Sequence, residues 1–190
     1  MNKRTTMLLV AGLLSLPVIA IAHPGHAGGG FNEGFMHPFL GLDHLLAMVV
    51  VGIWSMLHGR RLWLAPLCFV GFLTVGAMLG HGGLVVPQLE PLVAASVLVL
   101  GLMLTSPPGR GTSMPLVVIG AFALCHGMAH GGELGAAGSV LVGIVLGSAI
   151  LHGAGMLFAR HVLQQHQSWA DRLGQAVALV GGVLLVNTLL

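Results

Sequence analysis

Six apolar stretches, each close to the length of a membrane-spanning helix, fill most of this chain after its first 35 residues. About 20 helical residues cross the roughly 30 Å hydrocarbon core of a bilayer. Because backbone N–H and C=O groups find no water inside lipid, such stretches are expected to be helices. We therefore predict an all-α membrane protein with a six-helix transmembrane bundle. The predicted spans are residues 36–57, 62–81, 88–106, 114–132, 135–159 and 173–190.

Charged residues are too scarce for a water-exposed domain. Only 6% of the 190 residues are charged and 56% are apolar, whereas soluble domains carry roughly 25% charged residues. The formal net charge is +2, and no block of basic residues is present that would follow a phosphate backbone. These features exclude a soluble protein and a nucleic-acid-binding protein, and they make membrane lipid the expected surroundings.

Residues 1–22 have the form of a cleavable secretory signal peptide. A basic start precedes an apolar run over residues 7–21, and the run ends in an A-x-A cleavage site at Ala22. The run of about 15 residues is shorter than the roughly 20 that a retained span needs. We expect cleavage to leave a His- and Gly-rich amino-terminal tail, residues 23–35, followed by the membrane domain, residues 36–190.

The arginines predict the orientation of the spans. If the mature amino terminus lies outside the cytoplasm, the loops after spans one, three and five face inward. Cytoplasmic loops are enriched in Lys and Arg, and every arginine of the mature chain falls in one of these three loops. The residues are Arg60, Arg61, Arg110, Arg160 and Arg172.

A first group of metal-ligand side chains lies near the outer end of span one, where His37, Asp43 and His44 form the pattern H-x5-D-H. On one continuous helix His44 would lie about 20° from the line of His37 and roughly 10 Å further along, so the two imidazoles would share a face. Asp43 would bind metal from the side or accept an imidazole N–H. The alternative is a capped helix start with an interfacial histidine.

A second group lies near the outer end of span four. His126, His130 and Glu133 have i, i+4, i+7 spacing, which places them on one stripe of a helix. Two histidines at i, i+4 can chelate one metal ion. The alternative is a helix-packing seam with hydrogen-bonded histidines. Both groups reach the same membrane depth from different helices, so together they indicate a metal site more strongly than either does alone. One shared site and two separate sites both agree with this pattern.

Four further histidines are weaker metal candidates. His81 ends span two beside a glycine pair and is either a third contributor or a helix terminus. His152 lies deeper in span five and is either a relay or a satisfied core histidine. His23 and His26, at the expected new amino terminus, either gather metal or belong to a disordered end.

The two motifs, H-x5-D-H ending at His44 and H-G-x-x-H-G-x-E ending at Glu133, resemble the signatures of the HupE/UreJ family of small bacterial membrane proteins. The resemblance extends over essentially the whole chain, although Cys125 stands where the family commonly has Phe. It implies a multi-pass nickel or cobalt permease of the bacterial inner membrane with a periplasmic amino terminus. It also implies a role in supplying hydrogenase or urease, with cytoplasmic metallochaperones as partners.

The ligand types agree with that implication. Imidazole with carboxylate suits Ni, Co, Zn or Cu, whereas Mg and Ca prefer oxygen ligands alone. We expect the metal as a transported substrate and no permanently bound cofactor. The sequence contains no P-loop motif, so we expect a permease that is not its own ATPase. Apart from the proposed ligands there is no spare nucleophile or general base, so we do not expect an enzyme.

Alternatives from other functional classes stay open at this stage. A membrane-embedded metalloenzyme or a bis-histidine haem protein would use the same side chains. The two motifs open spans one and four, which permits two inverted three-helix repeats. Small residues from Ser139 to Gly147 would pack helices within one protomer or between the protomers of a homo-oligomer.

Overall fold

The computed structural model describes residues 30–59, 61–105, 113–131, 138–164 and 167–190, and these ranges consist of helices joined by turns and irregular segments, with no strand. The expected signal peptide, His23, His26 and Glu133 lie outside the described residues. Seven α-helices occur within them: α1 (Phe31–Leu40), α2 (Leu42–His58), α3 (Leu64–His81), α4 (Leu89–Thr105), α5 (Met114–Gly131), α6 (Gly138–Phe158) and α7 (Gln167–Leu189). A π-helical turn, Ala159–Leu163, continues α6.

Four of these helices are long and apolar enough to cross a bilayer: α3, α5, α6 with its π-helical turn, and α7. Together α1 and α2 pass the same test, but as a pair bent by 81°, and they make a fifth candidate span. Helix α4 is apolar but has only 17 residues. The chain is thus a multi-pass helical membrane protein, and α4 lies where the sequence predicts a further span.

The first predicted span differs most from the structure. Instead of one helix over residues 36–57, α1 ends at Leu40 and α2 begins at Leu42. Gly41 between them has extended backbone, with φ −83° and ψ 119°, and its carbonyl accepts the N–H of Leu45 to start α2. Glycine in a helix interior is destabilising because it loses more conformational freedom than other residues. The prediction that His37 and His44 share one face of a single helix is therefore wrong.

Other boundaries lie closer to prediction, with differences at both ends of the chain. Helices α3, α4 and α5 begin and end within two residues of the predicted spans. Helix α1 begins at Phe31, inside the stretch predicted as a tail. Helix α7 begins at Gln167 rather than at residue 173, because polar residues continue the helix beyond the apolar run on which the prediction depended.

Glycine brings three sets of helices into backbone contact. Helix α3 packs along α5, α4 along α7, and α6 along both α1 and α2. Gly127 of α5 stands against Leu73 of α3, Gly174 of α7 against Gly101 of α4, and Gly52 of α2 against α6. Lipid supplies no hydrophobic drive between helices, so close approach through small residues is the expected source of their association.

The glycine contacts also give the relative directions of these helices. Gly76 and Gly80 of α3 meet α5 successively towards its carboxyl end, so α3 and α5 run parallel. Gly34 of α1 meets α6 at Val140 and Gly52 of α2 meets it at His152, so the bent pair of α1 and α2 advances in the same direction as α6. Helices α4 and α7 run antiparallel. These are the directions of a chain that crosses back and forth. Counting α1 and α2 as one span, exchange of the first three spans with the last three leaves this set of pairs unchanged.

The packed core lies between α2, α3 and α5, where Met48, Phe69, Leu73 and Ile119 are fully buried. Large apolar side chains on the outer surface of the bundle remain exposed, among them Val117 at 62%. Such a surface fits lipid contact better than water contact. The histidines of the two sequence motifs lie at one end of this core.

Candidate metal site

Three histidines from three helices converge at one end of the bundle. His37 of α1, His44 in the first turn of α2 and His130 in the last turn of α5 offer ligand nitrogens that all lie within 4.8 Å of one another. The ring centroid of His130 is 4.3 Å from that of His37 and 4.5 Å from that of His44. His44 and His130 are buried and His37 is half-buried. We call these three residues the outer group.

The break at Gly41 makes this convergence possible. On a straight helix His37 and His44 would be separated by roughly 10 Å along the axis. Because α1 and α2 meet at a bend of 81°, the ring centroids of His37 and His44 are only 5.6 Å apart. The two imidazoles thus lie side by side because of a bend, and not because they share one helix face.

The outer group has the dimensions of an open metal site. Metal–imidazole bonds of about 2.1 Å hold two nitrogens on one ion no more than about 4.2 Å apart. The nitrogens of the outer group, within 4.8 Å of one another, need to close by about 0.6 Å at most to meet this limit. Small rotations of the imidazoles would therefore complete a site with three nitrogen ligands. Imidazole suits Zn, Cu, Fe and Ni among the metals of biology.

Asp43 orients His44. Its Oδ1 accepts hydrogen bonds from His44 Nδ1 at 2.7 Å and from the His44 backbone N–H at 2.8 Å. Because an ionised carboxylate only accepts hydrogen bonds, His44 Nδ1 carries the proton and Nε2 keeps its lone pair for a metal. Within the described residues His44 Nε2 is buried and has no hydrogen-bond partner. Of the two roles that the sequence left open for Asp43, this geometry favours support of the imidazole.

Gly41 leaves room for that carboxylate–imidazole pair. A Cβ at position 41 would lie 3.0 Å from Asp43 Oδ1 and 3.1 Å from His44 Nδ1. Both distances are shorter than an ordinary carbon contact, so a larger residue would push against the pair. The same glycine therefore interrupts the helix and accommodates the side chains that follow it.

His126 lies one helical turn from His130 and adjoins the outer group without belonging to it. Its Nδ1 donates a hydrogen bond to the Phe122 carbonyl oxygen at 2.9 Å, which leaves Nε2 as an acceptor. This Nε2 is buried with no hydrogen-bond partner among the described residues. The His126 ring is 4.8 Å from that of His44 and 5.6 Å from that of Phe69. His126 thus extends the row of imidazoles away from the outer group.

The other sequence candidates occupy different places. His81 is exposed at the end of α3, where Gly83 adopts a left-handed φ of +89° after the helix. It stands outside the outer group. His152 is buried in α6. Glu133 follows the described part of α5, so its position relative to the outer group is not described.

Two residues that shape this region, Gly41 and Phe69, were not identified from the sequence. The bend at Gly41 had a partial signal, since a glycine interrupts an otherwise helical apolar run. Phe69 had none, because one aromatic residue in an apolar span is ordinary. In the fold its ring lies 5.6 Å from that of His126 and 5.2 Å from that of His152.

Comparisons with known proteins agree with the two motifs. Residues 10–184 match the family model described as HupE / UreJ protein. The chain is 40% identical over 191 residues to Protein HupE of Rhizobium leguminosarum bv. viciae, and the match covers 98% of both proteins. No solved structure gives a significant match. The protein therefore belongs to the HupE/UreJ family, whose members are membrane transport and accessory proteins rather than enzymes.

Proposed function

We propose that this protein carries a divalent transition metal, nickel first and cobalt second, across the bacterial inner membrane into the cytoplasm for metalloenzyme maturation. The observation that carries the proposal is the convergence of His37, His44 and His130, whose ligand nitrogens lie within 4.8 Å of one another. Membership of the HupE/UreJ family, which is linked to nickel and cobalt supply for hydrogenase and urease, supports the choice of metal.

The outer group acts as the entry site in this proposal. Three imidazoles replace part of the hydration shell of the ion, and Asp43 holds His44 in the tautomer that offers Nε2. Conduction requires binding that is strong enough to admit the ion and weak enough to release it. A half-buried His37 leaves the site open to exchange. His126 and Glu133 complete the proposed ligand set, as the second sequence motif suggests.

Six membrane spans are part of the proposal, with α1 and α2 together as the first and α4 as the third. Helix α4 packs along α7, so it lies beside a helix of spanning length. The set of helix pairs is unchanged when spans one to three exchange with spans four to six, as two inverted repeats require. With arginines in the cytoplasmic loops, the outer group faces the periplasm.

A haem protein is the weaker alternative. Two axial histidines must have a porphyrin plane between them. Instead the rings of His130 and its neighbours His37 and His44 lie with centroids 4.3 and 4.5 Å apart. This contact leaves no gap for a macrocycle, whereas a single ion fits between the nitrogens.

Uptake of radiolabelled nickel by cells, with cobalt and zinc as competitors, tests the proposal. Wild type is compared with His44→Ala and His130→Ala at equal membrane abundance. His161→Ala, which removes an exposed imidazole from the π-helical turn, is the matched control. We expect both site variants to lose uptake and the control to retain it. Wild-type uptake in either site variant, or no uptake by the wild type, would contradict the proposal.

A further inference from the structure

A second buried imidazole lies away from the outer group. His152 of α6 is 2% exposed, and neither of its ring nitrogens has a hydrogen-bond partner in the described part of the chain. The Ser148 carbonyl, one turn earlier, interacts with this imidazole without reaching hydrogen-bond geometry. Buried polar groups are nearly always paired because an unpaired one costs free energy. This imidazole is therefore available to a ligand that passes it.

Phe69 contacts both His152 of α6 and His126 of α5. Its ring centroid lies 5.2 Å from that of His152 and 5.6 Å from that of His126, and its side chain is fully buried. The His126 ring lies in turn 4.8 Å from that of His44. Successive ring contacts therefore connect His44 of the outer group with His152 through His126 and Phe69.

Backbone packing gives the depth of His152. Gly52 of α2 stands directly against the His152 carbonyl oxygen. Gly52 follows His44 by eight residues on the same helix, which corresponds to about 12 Å along its axis. His152 therefore lies well inside the bundle, on the side of the outer group towards the predicted cytoplasmic face.

We propose that His152 is an inner binding station for the transported divalent metal, and that the Phe69 ring is the barrier that separates it from the outer group. This inference rests on the proposed transport function. Transport through a bundle needs successive sites at which binding is exchangeable. An ion leaving His126 meets an apolar ring and then an imidazole, so movement of one side chain, Phe69, connects the two stations. A histidine that served only packing would be replaceable by an apolar residue.

Replacement of His152 by leucine distinguishes metal binding at the outer group from metal transport past His152. Nickel affinity of purified protein, measured by equilibrium titration, reports the outer group, and uptake into cells at equal membrane abundance reports passage. We expect His152→Leu to keep wild-type affinity within about twofold and to lose about tenfold or more of the uptake rate. His44→Ala is expected to lose both. Wild-type uptake by His152→Leu overturns the inner station and leaves the transport function standing, whereas no uptake by the wild type overturns both.

A second variant detects metal binding at position 152 by spectroscopy, and it does not require the protein to fold with leucine at that position. In His152→Cys, Co²⁺ that reaches the inner station binds a thiolate, and a cobalt–thiolate charge-transfer band is expected in purified protein. Ile150→Cys, at an exposed position on the same helix, is the matched control and should give no band beyond wild type. Absence of the band in His152→Cys, at cobalt concentrations that saturate the outer group, overturns the proposal.

Phe69→Leu tests the barrier. A smaller, flexible side chain should let ions pass more readily, so we expect faster uptake and weaker discrimination between nickel and zinc. Phe72→Leu, on the same helix but 47% exposed, is the control and should behave as wild type. Unchanged rate and selectivity in Phe69→Leu would overturn the assignment of Phe69 as the barrier.

Discussion

Replacing Gly127 with alanine tests whether close packing of α3 and α5 determines the geometry of the outer group. A Cβ at this position would lie 2.0 Å from the Leu73 carbonyl oxygen and 2.7 Å from the Ala77 nitrogen. A carbon–oxygen contact needs about 3.3 Å, so the two helices must separate locally by about 1.3 Å. Because the obstructing atoms belong to the backbone, no change of side-chain rotamer relieves the clash.

That separation affects the metal site through His130. His130 is carried by α5, whereas His37 and His44 belong to α1 and α2. Ligand nitrogens now within 4.8 Å would move to as much as about 6 Å apart, beyond the about 4.2 Å that one ion can bridge. Loss of one imidazole from the site should weaken nickel binding by about tenfold or more, which corresponds to about 1.4 kcal/mol. The overpacked helix pair should also lower the free energy of unfolding by about 1–3 kcal/mol.

The assay is an equilibrium nickel titration of purified protein, with thermal unfolding measured in parallel. Gly71→Ala is the matched control, because a Cβ there meets nothing within 4 Å and Gly71 lies on α3 itself. Gly153→Ala on α6 meets the same condition. Both controls should bind nickel as the wild type does and gain slightly in helix stability. Wild-type nickel affinity in folded Gly127→Ala would refute the reasoning.

Three further substitutions test individual positions, two by the same nickel titration and one by nickel uptake. Asp43→Asn removes the charged acceptor that holds His44 and should lower nickel affinity by about 10–100-fold. The control Glu33→Gln, an exposed change in the first turn of α1, should leave nickel affinity unaltered. Equal affinities in the two variants would contradict the role of Asp43 in orienting His44. Gly41→Ala should weaken nickel binding, because its Cβ would press on the same Asp43–His44 pair, while the helix content measured by circular dichroism should not change. Unchanged affinity would contradict this, since it would show that the pair moves aside without loss of binding. His81→Ala should keep nickel uptake within about twofold of wild type, since His81 is exposed and outside the outer group; a larger loss would return it to the ligand set.

Hydropathy alone predicted most of the helices. The predicted limits of α3, α4 and α5 agree with the structure within two residues, because an apolar run of spanning length has one favourable conformation in lipid. The polar start of α7 was not predicted, because hydropathy detects the apolar part of a helix and not its polar continuation. The family was likewise accessible, because its motifs are local patterns of residue types.

The sequence by itself determined which residue types are present at the outer group and that two separate segments carry them. Only the tertiary structure decided how they meet. The 81° bend at Gly41 brings His37 to His44, and packing of α6 against both α1 and α2 accompanies that bend. His130 is carried to the outer group by α5, which packs in backbone contact with α3 at Gly127. Helical periodicity describes neighbours on one helix, whereas these distances come from contacts between residues far apart in the chain.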